Sequence, residues 1–203
     1  MSATTIETPI VKSETLFHVL TSVYPIPQEI LHYISHNATR LSVKKGKHLV
    51  KCGDVCRYMY FIEKGVLRGY IPDKKREATT WITMENEFVT SIRGFHWQEP
   101  SLENIQALDD CELIAIHYDQ LQYLYTHFTE MNILGRMILE HYYRDAEERA
   151  YISRLSSASD RYQHLLDTKP QIVSRVSLRY VASFLCMTLE NLSRVRGKMG
   201  KKK

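Results

Sequence analysis

Residues 176–199, which read VSLRYVASFLCMTLENLSRVRGKM, have the pattern of two short amphipathic helices joined by a tight turn. Ser177 and Thr188 stand where hydroxyl side chains cap the two helices, and Cys186 with Met187 supplies the turn. Ala182 is small enough to let the second helix cross closely. The apolar positions are Leu178, Val181, Phe184 and Leu185 in the first helix, and Leu192, Val195 and Met199 in the second. This arrangement predicts a helix-turn-helix.

The second helix presents a polar face opposite its apolar side. At about 100° of rotation per residue, Glu190, Ser193 and Arg194 point away from Leu192. Arginine can bond guanine in bidentate fashion and glutamate can accept from the cytosine amino group, so this face suits the major groove. Simple solvation of these charges is the alternative interpretation. Arg196 falls about 40° from Leu192, where we expect a structural ion pair or a backbone contact.

The distribution of charge favours nucleic acid as the partner of this end of the chain. Residues 153–203 contain 11 Lys and Arg against 3 Asp and Glu, whereas residues 1–152 contain 16 against 20. A net charge of +4 therefore combines a basic C-terminal quarter with a mildly acidic body. Such a partition is typical of a phosphate-binding module attached to another domain.

The composition argues against several other classes of protein. No stretch of the 203 residues is long and apolar enough for a membrane span or a secretion signal, so we expect a cytoplasmic protein that does not bind membranes. The four cysteines and nine histidines lack metal-ligand spacing, and no glycine motif for phosphate binding is present. We therefore predict no metal, no cofactor, no catalytic residues and no enzymatic activity.

The remainder of the chain divides into a β-rich part and a helical part. Helical periodicity over residues 16–36 is interrupted by Pro25 and Pro27. Short apolar runs separated by glycines then indicate successive antiparallel strands up to Tyr118. We predict an α+β protein with three parts: an antiparallel β-roll with N-terminal helices (1–120), a long connecting helix (121–155) and a small helix-turn-helix domain (156–203).

The long helix carries an apolar stripe that needs a partner surface. Its first half is expected to pack on the β-roll, while the rest extends beyond the roll. The same helix from a second subunit is the favoured cover, because a helix that protrudes must bury its apolar side elsewhere. The residues assigned to this homodimer contact are Met131, Leu134, Ile138 and Tyr142.

This order of parts resembles the Crp/Fnr family of bacterial transcription regulators. The residues that carry the resemblance are DRYQHLL at 160–166, Pro170 and VSLRYVASFLCMTLENLSRVR at 176–196, together with the glycine-spaced FIEKGVLRGYI of the family's β-roll. The resemblance implies a homodimer that binds double-stranded DNA, with RNA polymerase as a further candidate partner. It places Glu190, Ser193 and Arg194 at base-reading positions and Thr188 at a phosphate-contacting cap. Ser177, Arg179 and the terminal lysines are then expected at phosphates.

The cyclic-nucleotide cassette of the family is degenerate in this chain. Within EFVTSIRGF, Thr90 and Ser91 stand where the family has Gly and Glu, and within PSLENIQAL, Ser101 and Leu102 replace Arg and Ser/Thr. Loss of that arginine removes the charge-assisted contact that a buried phosphate requires. Arg93 is either a shifted anchor or, as we favour, a solvated side chain. Residues 1–51 contain no cysteine, which disfavours the family's iron–sulfur sensors.

The sequence ends KMGKKK, where the family usually adds a β-hairpin wing. Lys198, Lys201, Lys202 and Lys203 form either a phosphate-contacting arm or a solvated end. Our interpretation is a sequence-specific transcription regulator with a degenerate effector pocket and an unknown effector. Two alternatives are a sensor of a small molecule other than a cyclic nucleotide and a regulatory module that binds other proteins.

Overall fold

The computed structural model describes residues 10–73 and 76–200 as eight strands and nine helices. The strands are β1 (Thr39–Val43), β2 (His48–Val50), β3 (Tyr58–Lys64), β4 (Leu67–Asp73), β5 (Arg76–Thr83), β6 (Phe88–Val89), β7 (Asn104–Ala107) and β8 (Cys111–His117). The helices are α1 (Glu14–Val23), α2 (Gln28–Asn37), α3 (Ile92–His96), α4 (Tyr118–His127), α5 (Thr129–Arg154), α6 (Ala158–Thr168), α7 (Pro170–Arg175), α8 (Leu178–Phe184) and α9 (Leu189–Gly200).

The strands form two four-stranded antiparallel sheets that pack into a roll. Their orders are β1-β8-β3-β6 and β2-β7-β4-β5, so, apart from the consecutive strands β4 and β5, neighbouring strands are not consecutive in the chain. Apolar side chains from both sheets close the roll around a core that includes Phe61, Ile62, Leu67, Ile105 and Leu113, all at most 2% exposed. The predicted antiparallel roll is confirmed.

The two prolines at the N-terminus separate α1 from α2, as the sequence predicts. Ser13 caps α1 by accepting a hydrogen bond from the backbone N–H of Leu16 at 3.1 Å. Pro27 occupies the N-cap position of α2. The φ angle of this proline, fixed at −58°, leads directly into the helix. Both helices bury apolar residues in the core of the roll, where Leu20 and Ile30 are at most 4% exposed.

The single long helix predicted for residues 121–155 is wrong at Phe128. This residue has extended backbone angles (φ −130°, ψ 114°) and separates α4 from α5. The side-chain amide of Asn132 donates to the carbonyl oxygens of Tyr125 (2.6 Å) and Phe128 (3.3 Å), and the first of these carbonyls is one that a continuous helix would have paired with a backbone N–H. The apolar periodicity continues across the break because both helices pack on the same core.

The apolar stripe assigned to a dimer contact belongs mainly to the subunit itself. Met131 and Leu134 are 5% and 1% exposed within the core of the roll, and Ile138 packs against the same cluster. The hydroxyl of Tyr142 donates to the Glu87 carboxylate at 2.8 Å and accepts from the backbone N–H of Phe88. Met131 and Leu134 are therefore covered by the subunit's own core, because the roll reaches further along the helix than the sequence indicates, while a dimer contact at the partly buried Ile138 and Tyr142 stays a prediction.

The four C-terminal helices enclose a second apolar core that is continuous with the roll. Ile172, Val181, Leu185 and Leu192 have no exposed surface, and they form one cluster with Val66 and Ile82 of the sheet. Helix α9 runs to Gly200 and includes Lys198, whereas Lys201, Lys202 and Lys203 lie outside the described residues. In the described ranges, no helix is long and apolar enough to cross a membrane.

Candidate nucleic-acid interface

Helices α8 and α9 form the predicted helix-turn-helix. Val181 and Ala182 of α8 are buried against Leu192 and Val195 of α9, each at most 5% exposed. The buried face of both helices is therefore the one that the sequence periodicity gives. Because Ala182 has a single methyl group, its helix can approach the neighbouring elements closely.

The turn between these helices is tight and hydrogen bonded. Cys186 adopts a left-handed conformation with φ of +53°, and the backbone N–H of Met187 donates to the carbonyl of Ala182 at 3.0 Å. A left-handed residue after a helix is a common helix end, although glycine is its usual occupant. Thr188 then caps α9 by accepting from the backbone N–H of Asn191 at 3.2 Å, as predicted.

The first helix begins differently from the prediction. Ser177 occupies the N-cap position of α8, but its side chain makes no capping hydrogen bond. Its carbonyl oxygen accepts from the backbone N–H groups of Tyr180 (2.9 Å) and Val181 (3.2 Å). Its exposed hydroxyl is therefore not used inside the helix-turn-helix. Arg179 is also exposed, and its guanidinium lies 4.4 Å from the ring centroid of Tyr180.

The outward face of α9 presents the three polar side chains that the sequence places there. Glu190, Ser193 and Arg194 are all exposed. The pKa of Glu190 is lowered by its own backbone N–H and then by the hydroxyl of Thr188, so the carboxylate is ionised at neutral pH. Arg196 is exposed as well and forms no ion pair with any described residue, so the structural pairing expected for it is wrong.

The cassette segment of the roll has its hydroxyl groups bonded to one another. Ser91 and Ser101 are each 1% exposed, and their oxygens lie 2.8 Å apart. Thr90 donates to the carbonyl of Tyr58 at 2.9 Å. Arg93 is exposed and pairs with Glu99 at 2.8 Å, and Leu102 is 59% exposed. The five predicted pocket residues therefore do not converge on one cavity, and Arg93 does not turn inward.

A partly buried indole ring lies beside this segment of the roll. Trp81 of β5 lies across Gly69 of β4 so closely that a Cβ on Gly69 would sit 2.1 Å from the ring. The indole N–H donates to the carboxyl of Glu103 at 2.9 Å, and burial raises the pKa of that carboxyl. The sequence analysis missed this pair. The sequence did contain one signal for this pair. A glycine within a strand often marks a place where another group closely approaches the backbone.

A bidentate ion pair fastens the helical domain to the roll. Arg175 of α7 contacts both carboxylate oxygens of Glu85, at 2.6 and 2.8 Å. The guanidinium, together with the backbone N–H of Gly65, lowers the pKa of Glu85 to about 2 even though partial burial opposes the shift. The two residues are 90 positions apart, so nothing in the local sequence connects them.

Two further contacts join α8 to the sheet with the order β2-β7-β4-β5. The hydroxyl of Ser183 accepts from the backbone N–H of Thr79 and donates to the carbonyl of Glu77, both at 2.9 Å. Arg68 of β4, only 1% exposed, lies between the rings of Tyr70 (4.1 Å) and Tyr180 (3.9 Å). Its guanidinium is also paired with the Glu77 carboxylate. The helix-turn-helix is thus held to the roll by polar as well as apolar contacts.

Comparison with known proteins agrees with this geometry. Residues 40–128 match the family model for the cyclic nucleotide-binding domain, which corresponds to the roll from β1 through α4. No curated protein sequence matches the chain.

Solved structures resemble the chain beyond the roll. FixK2 from Bradyrhizobium japonicum has a TM-score of 0.71 and 18% identity, covering 81% of this chain and 85% of its own. A protein from Eubacterium rectale assigned to the Crp/Fnr family of transcriptional regulators has a TM-score of 0.68 and 17% identity, covering 89% and 88%. The chain has the Crp/Fnr fold. The c-di-GMP-responsive global regulator CLP from Xanthomonas campestris shares this fold, with a TM-score of 0.69, 19% identity and coverage of 87% and 93%. The predicted resemblance and the α+β fold class are confirmed.

We expect the ion pair between the roll and the helical domain to make the free energy of unfolding depend on pH in the acid range. The folded-state pKa of Glu85 (about 2) lies below its ordinary value, so the pair stabilises fully above about pH 5 and this contribution is lost as pH falls toward 2. The variant Glu85→Gln should cost about 1 kcal/mol at pH 7, a figure that allows for solvent around Arg175. Urea unfolding of both proteins between pH 7 and 3 measures the difference, which should shrink with acid.

The matched control is Glu140→Gln, which removes the exposed i,i+4 pair between Arg136 and Glu140. It should change the free energy of unfolding by less than about 0.5 kcal/mol. A Glu85→Gln effect that stays constant from pH 7 to pH 3 would contradict the assignment.

Proposed function

We propose that this protein is a homodimeric transcription regulator that binds a specific sequence in double-stranded DNA. The observation that carries the proposal is the exposed face of α9, where Glu190, Ser193 and Arg194 lie together on a helix capped by Thr188. Base edges in the major groove offer partners for a carboxylate, a hydroxyl and a guanidinium. The fold match supports the proposal, and the excess of basic residues after residue 152 supports it independently.

In this proposal, the first helix of the helix-turn-helix and the cap residues of both helices contact DNA phosphates. Ser177 and Thr188 supply exposed hydroxyls, and Arg179 supplies an exposed guanidinium at the N-terminal end of α8. Backbone N–H groups at helix N-termini bind phosphate in the same way. RNA polymerase as a partner and a cytoplasmic location stay predictions from the resemblance.

The proposed dimer contact extends from Ile138 and Tyr142 of the predicted stripe to neighbouring exposed positions of α5. Leu139, Tyr143 and Tyr151 are 48%, 76% and 55% exposed, which is unusual for three large apolar residues on one helix. Leu139 and Tyr143 also line an open groove of about 1100 Å³ between α5, the roll and the helical domain. Small-molecule sites are usually about 300–1,000 Å³ and more enclosed, so the groove suits a helix from a second subunit better than it suits a sensor ligand.

We also propose that cyclic nucleotides are not effectors of this protein. Trp81 lies beside the cassette segment, and its indole N–H donates to the partly buried carboxyl of Glu103. A cyclic phosphate brought into this space would meet hydroxyls already bonded to each other, because Ser91 and Ser101 are paired. Charge-assisted donors are the groups that bind buried phosphate, and Arg93 is turned outward to Glu99.

Arg194 is the residue whose removal tests DNA reading directly. After selection of a preferred site from random DNA, Arg194→Ala should lose about 1–3 kcal/mol of binding free energy on that site and relax preference at one base per half-site. Competition binding against random duplexes measures both effects. The matched control is Lys198→Ala on the same helix, which should weaken specific and random DNA alike. Equal losses for Arg194→Ala on both kinds of DNA would make it a phosphate contact only.

The dimer assignment is tested by placing a charge on the exposed face of α5. Leu139→Glu should give a monomer of 23.8 kDa in sedimentation and lose tight binding to a palindrome, because a carboxylate buried in the subunit contact is costly. Half-sites one turn of DNA apart, about 34–36 Å, require two linked recognition helices. Ile10→Glu changes a similarly exposed apolar residue elsewhere and should remain dimeric. A monomeric unmodified protein at micromolar concentration would overturn the dimer.

The paired hydroxyls of the cassette and the outward-turned Arg93 predict no response to cyclic AMP or cyclic GMP. Neither nucleotide should raise the melting temperature of the protein at millimolar concentration, since a ligand that binds only the folded state would stabilise it. The companion variant Trp81→Ala opens the same space and shows whether the indole or the missing cation excludes the ligand. A saturable upward shift for the unmodified protein would refute the proposal.

A further inference from the structure

Helix α9 contains a glycine that the folded chain itself does not require. Gly197 lies inside this helix, which continues to Gly200. A glycine inside a helix weakens it, because the unfolded backbone loses more conformational freedom there than at an alanine. Among the described glycines, the positive φ angles that favour this residue occur at Gly46, Gly53 and Gly65 and not at Gly197.

The other two glycines inside helices have a packing reason that Gly197 lacks. A Cβ atom on Gly94 of α3 would lie 2.9 Å from the Cβ of Cys56, and one on Gly135 of α5 would lie 2.9 Å from the ring of Tyr125. At Gly197 the same position is open. Apart from the helix's own backbone and the two chain neighbours, no heavy atom of the described residues lies within 4 Å of it. An alanine would therefore fit the folded chain without strain.

Gly197 lies at the centre of the outward face of α9. At about 100° of rotation per residue, it is roughly 20°, 40° and 60° around the helix from Glu190, Ser193 and Arg194. The opposite side of the helix faces the core, where Leu192 has no exposed surface. The glycine is therefore in the middle of the face that the proposed function assigns to base reading.

The dimensions of the major groove give this position a role. An α-helix with its side chains is about 10–12 Å across, and the groove of B-DNA is about 12 Å wide and 8.5 Å deep. For Glu190 and Arg194 to reach base edges, the helix must enter with the middle of its outward face innermost. A side chain at position 197 would then meet the DNA before either of them. Glycine permits close approach of the backbone to a ligand.

We propose that Gly197 is the point at which the backbone of α9 most closely approaches the DNA. A side chain at this position would keep the helix further from the base edges. Gly197 is thus a positioning residue, which makes no base contact itself and sets the depth to which Glu190 and Arg194 enter the groove. This inference rests on the proposed function, because it concerns how α9 lies on its site.

The test is a series of side chains of increasing size at position 197, assayed by competition binding on the selected site and on random duplexes. Gly197→Ala should weaken binding to the selected site by about tenfold and Gly197→Leu by about a hundredfold, the range expected when base contacts are lost. Binding to random DNA should not change, because sequence-independent binding depends on phosphate charge and not on base contacts.

Thermal unfolding of the free protein separates this effect from damage to the fold. Gly197→Ala reduces the conformational entropy of the unfolded chain, so it should raise the melting temperature by about 2 °C. This variant should therefore be more stable than the unmodified protein and yet bind its site less tightly. The control Gly200→Ala adds the same methyl group at the last residue of α9, also in open space, and should keep the affinity of the unmodified protein.

The outcomes separate this inference from the proposed function. Unchanged affinity of both position-197 variants for the selected site overturns the inference while the proposed function stands, since Arg194→Ala tests that function separately. Equal losses on selected and random DNA also overturn it. A lower melting temperature for Gly197→Ala overturns it too, because the folded chain itself would then need the glycine. Failure to select any site overturns the proposed function and this inference together.

Discussion

The enclosure of the Arg68 guanidinium determines how the two parts of the molecule fit together. A guanidinium that is 1% exposed must be paired and hydrogen bonded, because an unpaired buried charge costs several kcal/mol. The roll supplies Glu77 and Gln106, but the sheet alone would leave one side of the group open to water. Tyr180 of α8 closes that side with its ring at 3.9 Å. Arg68 therefore helps to hold α8 on this sheet.

This junction has consequences for control of the proposed activity. Val66 and Ile82 of the roll share an apolar cluster with the helical domain, and the pair between Arg175 and Glu85 adds a charged contact at its edge. Any movement of α9 relative to the roll must break both kinds of contact. Packed interfaces of this sort tend to have a small number of discrete arrangements and do not deform continuously. A regulator built on this fold would switch between orientations of the helical domain. The contacts at the junction would determine the relative populations of those orientations.

The local helices and their buried faces could be predicted from the apolar periodicity of the sequence. Features that depend on packing between distant residues could not. The buried faces of α8 and α9 were predictable because a 3.6-residue repeat reports which side is covered. The break at Phe128 was not, since neither proline nor glycine marks it and the apolar repeat continues through it. The stripe from Met131 to Ile138 shows the same limit, because a repeat reveals that a face is buried but not by which partner. The stacking of Tyr180 on Arg68 joins residues more than 100 positions apart, so no local pattern in the sequence indicates it.

The altered cassette fits the same physical account. In a roll that awaits a ligand, the interior would have to retain space and a cation for it. Here Trp81 packs against Gly69 and bonds Glu103, while Ser91 and Ser101 satisfy each other, so the polar groups of the cassette segment are already bonded within the chain. The position of α5 against this roll consequently rests on contacts such as Tyr142 with Glu87, which need no ligand. Under the proposed function, a signal that alters DNA binding would then act at the subunit contact of α5 or at the junction around Arg68, and the nucleotide cassette would serve only to hold the roll together.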